Sequence, residues 1–135
     1  MFVREGMTDV VLTVGPGHTL REAAAAMCSR NVGAAVVVDP DAHGPGVITE
    51  RDVLRAVGTG QDPDKELVAD HLTSRLTFAS PDWSLEQAAV AMVRGGFRHL
   101  VVVEGGELAG ILSMRDIVRV WTADGATSEV SAASA

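Results

Sequence analysis

At 135 residues, with 47% apolar but only 4% aromatic side chains, the chain can bury one core of ordinary domain size, filled by small aliphatics as in thin helix-on-sheet layers. Its formal net charge of -7 opposes phosphate backbones and anionic lipid, which makes nucleic acid and membrane surfaces poor default partners but does not exclude a small anion held by local cations. The single cysteine, Cys28, excludes an intrachain disulfide and is expected to be a small core residue on a helix, in a reducing compartment.

Every apolar run is shorter than the roughly 18 residues of a membrane span. Met1 to Asp9 lacks the basic stretch and apolar core of a signal peptide, so the chain is expected to be cytoplasmic.

An internal repeat organises the sequence. LTVGPGHTLREAAAAM, NVGAAVVVD and GVITERDVLRAV are followed by LTFASPDWSLEQAAVAM, GFRHLVVVE and GILSMRDIVRVW. Pro16 and Pro81, Leu20 and Leu85, and Met27 and Met92 are each 65 residues apart; Gly46 and Gly110, and Asp52 and Asp116, are 64 apart. The one-residue slip falls in the turn before Gly46, where an insertion costs little.

In chain order, a short strand is expected over Val10 to Val14, and again over Leu76 to Phe78, each ended by proline. A helix opens after Thr19 with Glu22 at its third position, and after Ser84 with Gln87: two capping boxes. The uninterrupted apolar runs Ala34 to Val38 and Leu100 to Val103 predict strands covered on both faces. Val47-Ile48 and Leu108 to Leu112 predict hairpin partners for them. Second helices follow Thr49 and Ser113. Gly58 to Asp64 has linker composition, Lys65 to Leu72 is expected to be a short helix, and the Ala-, Ser- and Gly-rich tail from Ala123 to Ala135 is expected to be disordered. The fold class is α/β, a β-α-β-β-α motif made twice. The boundaries are 1–60 with the N-terminal segment, a 61–74 linker, 75–122 for the second motif, and 123–135 for the tail. One copy alone cannot bury both faces of its apolar strand, so the two are expected to pack sheet to sheet about a pseudo-twofold axis, with ligand clefts between them.

The junctions GVITERD and GILSMRD each place a hydroxyl, Thr49 or Ser113, three residues before a carboxylate, Asp52 or Asp116. Such a pair closes a helix N-terminus with no ligand present. Yet both second helices use the shorter Asp where the first helices use Glu22 and Gln87. A short carboxylate beside free amides can accept the hydroxyls of a ribose diol, with a phosphate received at the same helix start. The residues alone leave capping and binding open.

These segments, in fixed order and twice over, resemble CBS motifs, and the pair is similar to a Bateman module over residues 7 to 121. The resemblance implies that Asp52 and Asp116 bind ribose hydroxyls and that Thr49 and Ser113 contact phosphate or ribose. It implies that Thr13, Val14, Thr77 and Phe78, with Ile48 and Leu112, enclose the adenine, and that Arg98 and His99 meet the phosphate. The first copy has Ala34 and Ala35 where the second has Arg98 and His99, so the two sites are expected to differ. Val36 and Val101 stand where the family often has proline.

His18, His43, His71 and His99 show no metal-ligand spacing, alone or with Cys28. His18 and His43 suit turns and His71 the linker helix. No Ser or Cys nucleophile has a recognisable partnered base, and no Walker loop occurs. Trp83 and Trp121 suit packing or dimer contacts. The expected protein is therefore a stand-alone regulatory module and not an enzyme. By the resemblance it binds AMP, ADP, ATP or S-adenosylmethionine, pairs as a homodimer, and acts in trans on a protein partner. The alternative is an interaction scaffold without ligand; nucleotide hydrolysis and DNA binding find little support.

Overall fold

The computed structural model describes residues 1–42, 44–73 and 76–123. His43, the 74/75 boundary and the tail beyond Ala123 lie outside the described residues. The chain divides into two compact units, Val11–Leu76 and Met1–Val10 together with residues from Thr77 onward. Each has its own apolar cluster.

In the Val11–Leu76 unit, β1 (Thr13–Val14) is followed by α2 (Leu20–Arg30), β2 (Ala34–Val37), β3 (Gly46–Thr49) and α3 (Glu50–Gly58), while α1 (Val3–Gly6) belongs to the other unit. The sheet order is β1-β2-β3. β1 runs parallel to β2, with Thr13 opposite Val36; β2 runs antiparallel to β3, with Ala34 opposite Thr49. A parallel pair needs a crossover, and α2 supplies it. Thr19 caps α2 in a full box with Glu22, and Asn31 ends it in the left-handed conformation at φ 54. Leu20, Ala23 and Met27 lie on one helical face and are buried with Val14, Ala35, Val37, Ile48, Ala56 and Val68. Leu20 and Ile48 are fully covered, each contributing about 1.5–3 kcal/mol by leaving water. Cys28 is exposed instead of buried, because it falls next to Met27 and off that face.

The other unit repeats the plan with β4 (Phe78–Ala79), α4 (Leu85–Gly95), β5 (His99–Glu104), β6 (Glu107–Ser113) and α5 (Met114–Trp121). Its sheet order is β4-β5-β6. Ser84 caps α4 with Gln87. β5 and β6 are joined by Gly105 and Gly106, whose φ of 61 and 81 suit a two-residue hairpin turn that other residues adopt at a cost. Val102 pairs with Gly110 and Val103 with Leu108, a register irregularity that passes over Ala109 as a bulge does.

The structure extends the repeat beyond the motifs read from sequence. Val3 donates to the Trp83 carbonyl at 2.8 Å and Arg4 to that of Pro81 at 3.1 Å; sixty-five residues on, Val68 donates to His18 at 2.8 Å and Ala69 to Pro16 at 3.0 Å. Phe2 bridges Ser84 as Leu67 bridges Thr19, and Thr8 pairs with Ile111 as Thr73 pairs with Val47. Residues 1–8 are thus the first copy of the segment whose second copy is 66–73. Each segment completes the unit that does not carry its own downstream motif. The N-terminal segment, assigned by sequence order to residues 1–60, packs with the second motif, and most of the 61–74 linker packs with the first. FVREGMT and LVADHLT share too few identities to announce the match.

The helix expected over Lys65 to Leu72 shortens to a 3₁₀ turn, Val68–Asp70. The amides of Val68 and Ala69 go to the β1–α2 loop, and the ends are held at Thr19 and Val47, so a continuous i to i−4 ladder cannot form.

Two outcomes follow. Val3 and Val68 are both fully buried, and either alanine substitution costs about 1–3 kcal/mol. Hydrogen exchange quickens in α4 and α5 for V3A but in α2 and α3 for V68A. Separately, hydrogen bonds from the Thr19 amide and hydroxyl hold the Glu22 carboxyl below its ordinary range. The stability this brings is present at neutral pH and is lost as pH falls through the lowered value. Glu22→Gln therefore flattens the acid limb of a melting-temperature profile.

Candidate functional site

Each second helix begins where an antiparallel strand ends. At the β3–α3 junction, Thr49 is the N-cap of α3. Asp52 Oδ2 accepts from the Thr49 amide at 2.8 Å and from its hydroxyl at 2.9 Å, and that hydroxyl oxygen accepts from the Asp52 amide at 3.3 Å. At the β6–α5 junction, Asp116 Oδ2 accepts from the Ser113 amide at 2.9 Å and Ser113 Oγ from the Asp116 amide at 3.0 Å. Both carboxylates therefore close their own helix starts, as the capping reading expects.

Closing the cap occupies one carboxylate oxygen of two. An ionised carboxylate offers about four acceptor positions. Asp52 Oδ1 has no hydrogen-bond partner among the described residues, and both acids are half-buried and not sealed. Asp116 Oδ1 faces Arg119 Nη2 at 3.5 Å. Capping and ligand binding can thus share one side chain.

The remaining expected residues divide by exposure. Thr13, Thr77, Phe78 and Arg98 are exposed, and His99 is half-buried on β5 opposite Ser113. Val14 and Ile48 sit in one core cluster and Leu112 in the other. Their side chains, expected to enclose a base, are buried in these clusters. Strand alternation turns each of them inward.

Strand register also corrects the expected alignment of the basic pair. Ala34 lies opposite Thr49 as His99 lies opposite Ser113. The Glu50 amide donates to the Gly33 carbonyl at 2.9 Å as the Met114 amide donates to that of Arg98, also at 2.9 Å. Gly33 and Ala34, not Ala34 and Ala35, are therefore the counterparts of Arg98 and His99. A Cβ on Gly33 would lie 2.9 Å from Glu50 Oε1. The first junction thus sets an acid over a glycine where the second has Arg98 beside Met114. The charge contrast is larger than the sequence comparison suggested. Among the described residues no group of three or more His, Cys, Asp or Glu could hold a metal ion, and no helix is long and apolar enough to cross a membrane.

The CBS domain model matches residues 3–59 and 68–122. The chain belongs to the CBS domain family. Both matches together cover most of the chain, and the first begins inside the N-terminal segment. CBS domain-containing protein YhcV of Bacillus subtilis is 35% identical over 116 residues, 85% of this chain and 81% of that protein. An uncharacterized protein of Methanocaldococcus jannaschii is 36% identical over 122 residues, 90% of this chain but only 43% of its own length; the chain spans less than half of that relative. Among solved structures, a CBS domain protein from Pyrobaculum aerophilum complexed with AMP is 34% identical, with a TM-score of 0.76, covering 86% of this chain and 89% of that one.

Removing either cap hydroxyl tests how much the junctions depend on it. Thr49→Ala and Ser113→Ala each lower stability by about 0.5–2 kcal/mol in urea unfolding, with the larger loss at Thr49, whose hydroxyl also donates to Asp52.

Proposed function

We propose that this CBS pair is a regulatory module that binds an adenosyl ligand of the AMP class at its two strand-to-helix junctions. Asp52 and Asp116 accept ribose hydroxyls, Thr49 and Ser113 contact ribose or phosphate, and Arg98 and His99 receive the phosphate at the second junction. Thr13, Thr77 and Phe78 supply exposed surface for the base. The observation that carries this reading is the AMP complex of the Pyrobaculum aerophilum relative at 34% identity over most of both chains. The unused Oδ1 of Asp52 supports it, because the cap need not open for a ribose to bind. ADP, ATP and S-adenosylmethionine belong to the same ligand class. The ligand acts through the conformation of a homodimer in the cytoplasm, and its effect is read in trans by a protein partner; the module itself is not a catalyst.

A second reading, an interaction scaffold without ligand, draws on the closed caps at both junctions. Calorimetric titration with AMP separates the two. The nucleotide reading expects heat at micromolar to millimolar AMP and a melting temperature that rises with ligand over Kd. Asp52→Asn and Asp116→Asn remove that rise at their own junctions. Arg98→Ala weakens AMP about tenfold and leaves adenosine unchanged, as loss of one charge partner of a phosphate implies. No heat with any adenosyl compound at millimolar levels favours the scaffold.

A further inference from the structure

Among the described residues, the second junction carries a connection that the first lacks. Arg119 Nη2 donates to the Gly6 carbonyl at 3.0 Å and faces Asp116 Oδ1 at 3.5 Å. One guanidinium nitrogen therefore spans the N-terminal segment and the carboxylate oxygen that the cap leaves over. Gly6 is buried, and a Cβ there would lie 3.1 Å from Val120 Cγ2, 3.5 Å from Leu112 Cδ1 and 3.6 Å from Leu85 Cδ2. A side chain at residue 6 would press on Val120, so glycine suits the close approach of the segment to α5. Two residues on, Thr8 and Ile111 exchange amide-to-carbonyl bonds at 2.9 Å each, just before the Ser113 cap. Arg55, the counterpart of Arg119, is exposed and makes no side-chain hydrogen bond among the described residues. His71 stands where the N-terminal segment has Gly6.

We infer that Arg119 is a positioning residue for Asp116, and that it couples ligand occupancy of the second junction to docking of residues 1–8. This rests on the adenosyl-ligand reading. The docked segment fixes the guanidinium through the Gly6 carbonyl, and the guanidinium orients Asp116 Oδ1, the oxygen left for a ribose. A ligand that finds this oxygen already oriented loses less freedom on binding. Coupling between sites is reciprocal, so the bound ligand must in turn hold the segment more tightly. Among the described residues the first junction has no such tie, and the two sites therefore differ in output as well as in charge.

The test is amide hydrogen exchange of residues 3–8 in the full chain, with and without saturating AMP, together with calorimetry. In the wild-type protein AMP slows exchange at Met7 and Thr8 by about fivefold or more, the lower range of measured site-to-site couplings. Arg119→Gln removes the slowing and weakens AMP at the second junction by the same factor, and Arg119→Lys restores part of both. AMP binding with no change in residues 3–8, or slowing that survives Arg119→Gln, overturns the coupling and leaves the nucleotide reading standing. Absence of AMP binding to the wild type overturns both.

Discussion

The cap at the start of each second helix is the interaction on which the structure and its chemistry both turn. A hydroxyl and a carboxylate three residues apart satisfy amides that the helix leaves without partners. They also fix where the preceding strand ends. Because Asp is short, the carboxylate stays at the helix mouth, with one oxygen turned to the cap and the other left outside it. The same group that stabilises the fold thereby keeps an acceptor oxygen at the helix start, where a hydroxyl could donate to it.

Around these caps the two units are built alike but charged differently. Gly33 with Glu50 presents an acid at the first junction, while Arg98 and Arg119 bring cations to the second. An overall charge of -7 conceals this contrast. A sum over the chain says little about a site a few ångströms across. Specificity for a phosphate is better argued from the strand register, which shows which residue stands beside which.

Much of this was legible in the sequence because the strongest signals are local. Thr19 with Glu22 and Ser84 with Gln87 gave helix starts that the structure places at the same residues. The apolar runs became β2 and β5 with small changes at their ends. What escaped was set by tertiary pairing. FVREGMT has no helical or strand periodicity of its own. It takes shape by pairing with Ser84 and Ile111, far along the chain, so nothing local announces it. The same cause shortened the Lys65 to Leu72 helix. Ile48 and Leu112 carried a binding role by resemblance, yet strand alternation had already assigned their side chains to the core.

An amide-resolved NMR titration with AMP tests the central claim, that the capping acids are also the ligand's acceptors. The account predicts the largest shifts at Thr49 to Asp52 and at Ser113 to Asp116, saturating together with the calorimetric signal. Shifts confined to other surfaces, or an unchanged spectrum at millimolar AMP, would contradict it and leave these carboxylates as helix caps alone.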